Sequence, residues 1–205
     1  MNKYITEFIG TFFLVFTIGM TVINTDIGSM APLAIGAVLM VMVYAGGHIS
    51  GAHYNPAVTL AVFIRGKMEA KDIIPYWAAQ CIGAVLAALL VNNYTAGPNI
   101  VPLIHNPLKS ISVEFLFTFA LVYVVLNVAT SDKTSGNSYY GLAIGFIVIA
   151  GAYSVGAVSG GAFNPAVALG ISSMGLSSFS NIWIYLVGNF AGAALAAVVF
   201  KMTDK

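Results

Sequence analysis

The chain has 205 residues, of which 59% are hydrophobic and 7% charged, and its formal net charge is +1. An ordinary soluble domain carries about 25% charged residues, so a mean hydropathy of +0.91 assigns this chain to lipid. The near-zero net charge excludes an electrostatic footprint for nucleic acid, and a single cysteine, Cys81, excludes an intrachain disulfide framework.

Crossing a bilayer as helix takes roughly 20 mostly apolar residues. The first such stretch covers residues 4–23. Glu7 interrupts its apolar run and no small-residue cleavage site follows, so it reads as a span and not as a secretory leader. The second covers 31–47. After it, "SGAHYNPAVTL" (50–60) places Asn55, Pro56 and Ala57 ahead of an apolar segment too short to cross. The third span covers 73–91. The connection "NNYTAGPNIVPLIHNPLK" (92–109), rich in Pro and Asn, reads as an extended loop. Spans four and five cover 111–130 and 139–158. Then "SGGAFNPAVAL" (159–169) repeats the motif with Asn164, Pro165 and Ala166, and the sixth span covers 181–201. Runs this long and apolar do not alternate every second residue as membrane barrel strands do. The prediction is an all-α membrane protein, one domain over 1–205, with six transmembrane helices and two re-entrant half-helices.

Basic residues set the orientation. With the N-terminus cytoplasmic, Lys3, Arg65, Lys67, Lys71, Lys133, Lys201 and Lys205 lie inside, and Lys109 alone lies outside. Both termini are predicted cytoplasmic, with the loop around Lys133 inside and that around Asn99 outside. A plasma-membrane location is expected.

The repetition extends beyond the motif. "TEFIGTFFLVF" (6–16) matches "VEFLFTFALVY" (113–123), setting Glu7 on Glu114, and "GAVLAALLV" (83–91) matches "GAALAAVVF" (192–200). The chain therefore holds two copies, about 1–92 and 110–205, each with three spans and one half-helix. Three is odd, so the second copy enters from the opposite side. This is the inverted repeat of transport proteins whose broken helices meet near the midplane.

The chemistry of the motif suits that geometry. Asn caps a helix start by accepting an orphan backbone N–H, and Pro fits the first helical position, where no N–H is needed. The capping Asn is expected to keep its NH₂ free as a donor aimed at whatever lies in front of the helix. Each helix start carries roughly half a positive charge, and two facing one lumen oppose protons and metal cations. Gly51, Ala52 and His53, with Gly160, Gly161 and Ala162, are expected as non-helical backbone along a watery cavity, a ladder of carbonyl acceptors. The pairs Gly141/Gly145 and Gly188/Gly192 read as close helix contacts.

With its paired Asn-Pro-Ala boxes, "AGGHISGAHYNPAVTLAVF", "YWAAQCIGAVLAA" and "WIYLVGNFAGAALAA", the chain resembles the aquaporin, or major intrinsic protein, family along essentially its whole length. The resemblance implies six tilted spans around an hourglass pore, passive conduction, and a homotetramer with one pore per subunit. It matches Asn55 and Asn164 to the central pore asparagines, Glu7 and Glu114 to glutamates bracing the re-entrant loops, and His53 to a pore-wall carbonyl. It places the outer selectivity filter at Ile35, Ala152, Gly161 and Val167. The last is Arg in most members, the second often His in water-selective ones, and the first commonly aromatic. All four are apolar here and two are tiny, so a wide mouth is expected. It would pass water or small uncharged solutes, glycerol-sized or smaller, with weak discrimination and moderate water flux. Ala168, where glycerol facilitators tend to carry Asp, and Tyr185-Leu186 do not separate water from glycerol. Tyr54 and Phe163 precede the two asparagines where relatives usually carry smaller aliphatic residues. They either form a central constriction or turn away and pack against the spans.

His48 and His105 read as loop residues and Cys81 as packing. No His, Cys, Asp and Glu set has metal-ligand spacing and no nucleophile, base and orienter trio is visible, so no metal, cofactor or enzymatic activity is expected. Two rival readings are an inverted-repeat secondary transporter and a structural membrane protein with a vestigial pore.

Overall fold

The computed structural model describes residues 1–23, 28–95 and 100–204, so Lys205 and Asn99 lie outside the described residues. Within them lie α1 (Asn2–Ile23), α2 (Ala31–Ser50), α3 (Pro56–Arg65), α4 (Ala70–Tyr94), α5 (Pro107–Thr130), α6 (Tyr140–Ser159), α7 (Pro165–Ser173) and α8 (Ile182–Thr203), and no strand. Six of these are long and apolar enough to cross a membrane, whereas α3 and α7 have 10 and 9 residues.

Several helices run past the apolar stretches that predict them, because polarity alone does not stop a helix. α2 continues through His48 and Ser50 and ends where Gly51 turns left-handed (φ +84°). α6 ends the same way at Gly160 (φ +89°), as a Gly C-cap does. α5 starts at Pro107 because the Asn106 side chain accepts from Lys109 N–H (3.1 Å), which shortens the loop expected over 92–109. Two of its described residues are held in place. Leu103 N–H donates to Leu176 O (3.0 Å), and the His105 ring bridges Ser110 and Ser177.

α1 packs on α4, α5 on α8, and α2 on α6. The half-helices exchange partners: α3 lies against α8 and α7 against α4, so each half of the chain holds the broken helix of the other. The far end of α3 is fixed by Arg65, which pairs with Asp204 (3.5 Å) and lies over the Phe200 ring (5.0 Å). Close approach of the long helices rests on glycine. A Cβ on Gly192 would stand 2.4 Å from Phe115 O, and one on its repeat partner Gly83 would stand 2.6 Å from Phe8 O. A Cβ on Gly145 would stand 2.5 Å from Gly36 O, and one on Gly188 would stand 2.9 Å from Glu114 Cβ. In lipid, such small-residue contacts are what let helices associate.

Gly192→Ala is expected to push α8 off α5 and lower stability by about 1–3 kcal/mol. Gly156→Ala, where a Cβ meets nothing within 4 Å, is expected to be neutral or slightly stabilising. Thermal unfolding in detergent compares the two, and equal melting temperatures would contradict the packing account.

Candidate functional site: a lumen between two half-helices

Glu7 on α1 and Glu114 on α5 are fully buried. A carboxylate in such a place needs donors, and each has four. Glu7 Oε1 accepts from Ser50 Oγ (2.7 Å) and His53 N–H (2.9 Å), while Oε2 accepts from Tyr54 N–H (2.7 Å) and Gln80 Nε2 (2.8 Å). Glu114 Oε1 accepts from Ser159 Oγ (2.7 Å) and Ala162 N–H (3.0 Å), while Oε2 accepts from Phe163 N–H (2.7 Å) and Asn189 Nδ2 (2.8 Å). Gln80 and Asn189 were not singled out from the sequence. The signal lay in the repeat, since a buried amide recurs in spans three and six.

These bonds turn the loops inside out. Ala52, Tyr54 and Phe163 adopt left-handed backbone (φ +51°, +50° and +47°), as does Gly161 (φ +62°). For a residue with a Cβ this costs roughly 1–2 kcal/mol, which the carboxylate bonds offset. No described residue donates to the carbonyls of Gly51, Ala52, His53, Gly160, Gly161 or Ala162.

At the centre the two motifs are cross-linked. Asn55 Oδ1 caps α3 by accepting from Ala57 N–H (2.8 Å) and Val58 N–H (3.4 Å), and its Nδ2 donates to Phe163 O (2.9 Å). Asn164 mirrors it, accepting from Ala166 N–H (2.9 Å) and Val167 N–H (3.4 Å) and donating to Tyr54 O (2.8 Å). The NH₂ groups are thus not wholly free, as the sequence reading had them. One hydrogen of each locks the opposite loop, and the other is left for the lumen. Pro56 and Pro165 occupy the first helical positions, and Pro56 O accepts from Trp77 Nε1 (3.1 Å).

The central constriction of Tyr54 and Phe163 is not what these rings form. Each residue is 1% exposed. The Tyr54 ring sits where Gly10 and Gly46 leave room, and its Oη donates to Met42 O (2.9 Å). Phe163 fills the notch at Gly151 against Phe117 (centroids 5.4 Å apart). The left-handed turn that presents each carbonyl to its partner Asn throws the ring outward.

The lumen runs between the half-helices. Ile35, Gly161 and Val167 line it, together with Ala52, His53, Tyr54, Ala162 and both asparagines, whereas Ala152 does not. Its walls are otherwise aliphatic and come in repeat pairs: Leu14 with Leu121, Ile18 with Val125, Ile35 with Ile144, Leu39 with Val148, Val58 with Val167. No charged side chain lines it among the described residues. Most of this collar was missed from the sequence. Yet Leu14 and Ile18 follow Glu7 at i+7 and i+11, on the helix face that the buried carboxylate already marks. Ile18 and Leu39 join the filter positions Ile35, Gly161 and Val167 in lining the lumen. The lumen offers water centres about 40 Å³, and one water needs roughly 10–15 Å³ on that scale. A short file fits. On the side of the termini it opens, past His53 and Val125, into a vestibule of about 740 Å³.

Comparison with known proteins agrees along the whole chain. The profile of the family described as Major intrinsic protein matches residues 1–200. Aquaporin NIP1-1 of Oryza sativa subsp. japonica is 36% identical over 98% of this chain and 74% of its own length. Glycerol uptake facilitator protein-like 6 of Lactiplantibacillus plantarum is 36% identical, over 96% of this chain and 95% of its own. The X-ray structure of the aquaglyceroporin from Plasmodium falciparum superposes with a TM-score of 0.83 at 22% identity, covering 97% of this chain and 94% of that one, which speaks for the fold. The chain belongs to the major intrinsic protein family and is a passive membrane channel for water and small solutes.

Proposed function

We propose that conduction follows the lumen between Asn55 and Asn164 and that its solutes are uncharged and glycerol-sized or smaller. One observation carries this: an aliphatic, chargeless lumen with amide donors only at its midpoint and unpartnered loop carbonyls along it. A solute shedding water is met by acceptors from the carbonyls of Gly51 to His53 and of Gly160 to Ala162. Ile35, Val167 and Gly161 stand at the outer mouth, with Ala152 off the lumen, and none supplies a side-chain donor. Water loses hydrogen bonds in an apolar ring, which can dewet if narrow, whereas a solute with an apolar face is compensated by contact with the collar. Water flux is therefore moderate and discrimination among small neutral solutes weak. Cations are opposed by the positive ends of α3 and α7. Four copies form a homotetramer with one lumen each, as in the family the chain belongs to, in the plasma membrane.

Val167→Arg is expected to cut glycerol and urea flux in proteoliposomes by about tenfold or more, the equivalent of 1.4 kcal/mol in barrier, and water flux by less. Wild-type vesicles that conduct water fast but exclude glycerol and urea would contradict the neutral-solute lumen.

The orientation proposed has both termini in the cytoplasm. It is supported by Lys3, Arg65, Lys67, Lys71, Lys133 and Lys201, which fall at the end of the bundle where the termini lie, against Lys109 at the other. In a Cys81-free background, Lys133→Cys should react only with reagent on the cytoplasmic side and Ile104→Cys only with reagent outside. Reversed labelling would overturn the orientation and with it the naming of the outer mouth.

A further inference from the structure

The seam where α8 meets α5 holds a second space, apart from the lumen. It is a notch of about 410 Å³. Ile111, Phe115, Leu116 and Val187 line it, with the small residues Gly188 and Ala191. Leu116 and Val187 are each more than half exposed, so the notch opens away from the bundle. Ser112 lines it too, but its hydroxyl hydrogen goes to Leu108 O (2.7 Å). The notch therefore offers no side-chain donor and suits hydrocarbon. An apolar cavity of roughly 150 Å³ is enough to hold benzene, so this one has room for a stretch of acyl chain.

The inverted repeat shows what is particular to this seam. Its counterpart is the seam of α1 and α4, matched at Glu7 with Glu114 and at Gly83 with Gly192. At the positions of Gly188 and Ala191, α4 carries the bulkier Ala79 and Ile82. Charge departs from the symmetry as well. At the counterpart seam Lys3 is tied to Asp72 (2.6 Å), whereas no described residue pairs with the exposed Lys109 at the start of α5. Lys109 precedes Ser112 by three residues and Leu116 by seven, so it shares their helix face about one turn further out. On α8 the half-exposed Trp183 precedes Val187 by four, and no described residue accepts from its Nε1. A Trp at that level is where a membrane interface places one.

We propose that this seam binds a membrane glycerophospholipid, with one acyl chain in the notch and the phosphate on the Lys109 ammonium and the Trp183 indole N–H. The two parts do different work. A chain entering the notch gains packing contacts but leaves a bilayer that is equally apolar, so by itself it separates one lipid from another only weakly. The ammonium gains a charge-assisted hydrogen bond that only an anionic headgroup supplies. The notch sets the place and the phosphate sets the preference. A second copy of the chain is the rival occupant of such a face. Among the described residues, no exposed acidic side chain stands at this end of the bundle for that copy to offer Lys109.

Native mass spectrometry of the detergent-purified protein counts bound lipids and subunits in one spectrum. The titrants are dioleoyl phosphatidylglycerol and dioleoylglycerol, which has the same chains and no phosphate. Phosphatidylglycerol is expected to bind the wild type about fivefold more tightly, the worth of one lysine at an anionic headgroup. Lys109→Ala is expected to lose that preference, and Ala191→Phe to weaken both lipids by filling the notch. Lys201→Ala, at the opposite end, is expected to bind as wild type does, and the subunit count is expected to be the same throughout. Equal affinity of the wild type for the two lipids, or a preference that survives in Lys109→Ala, would overturn the lipid site. Loss of subunits in Ala191→Phe would overturn it too and give the face to a second copy. Binding in detergent needs no conduction, so failure here leaves the lumen standing, and a wild type without flux leaves this site standing.

Discussion

A carboxylate buried behind each re-entrant loop is the interaction on which the rest of the channel depends. A loop at membrane depth must dispose of both its N–H and its C=O groups. Glu7 and Glu114 take the N–H groups of His53, Tyr54, Ala162 and Phe163, and no described residue donates to the carbonyls of Gly51 to His53 or Gly160 to Ala162. Ser50, Ser159, Gln80 and Asn189 complete each carboxylate's shell. Without that shell the left-handed turns at Tyr54 and Phe163 would have nothing to hold them. Without those turns, Asn55 and Asn164 could not reach across to the opposite carbonyl. Brace, turn and cross-link form one chain of dependence, made twice.

That doubling explains Val167. The residue three after the second Asn is the repeat partner of Val58, three after the first. The lumen is close to what two copies of one unit produce, aliphatic at both ends and polar at the middle. Departures from the symmetry are therefore where direction enters. His53 against Ala162 is the departure with chemistry, and Ala52 against Gly161 the one with backbone strain, since Ala52 holds a left-handed turn that glycine takes without penalty. No charged side chain lines the lumen among the described residues, so the cation exclusion proposed rests on the two helix ends. Solute choice is left to size and to the balance of donors and acceptors.

Much of this was legible in the sequence because the signals were long or doubled. Six apolar runs near 20 residues and one motif written twice at an offset of 109 are hard to produce by chance, and the inverted repeat follows from counting spans. Apolar runs alone stopped α2 short at Gly47 and α6 at Val158, whereas the glycine caps at Gly51 and Gly160 set their ends. What the sequence hid was side-chain direction. Tyr54 and Phe163 stand next to the asparagines in the chain, yet their rings lie in notches at Gly10, Gly46 and Gly151 on other helices. Only the backbone φ at each decides which way the ring goes, and φ depends on a glutamate more than 40 residues away. The collar residues Leu14, Ile18, Leu121 and Val125 were hidden differently: in a lipid-soluble helix every face is apolar, so hydrophobic pattern cannot separate lumen from bilayer.

The measurement that tests the brace most directly is glycerol conductance of Glu7→Gln protein, with membrane insertion and folding followed on the same sample. The amide has the size of the acid but presents hydrogens where the loop also presents hydrogens. Leaving a buried donor unmet costs about 1–3 kcal/mol, enough to release the turn at Tyr54 and with it the bond from Asn164. The account predicts inserted, helical protein whose conductance is reduced about tenfold or more. Glu7→Gln protein that conducts as wild type does would contradict it.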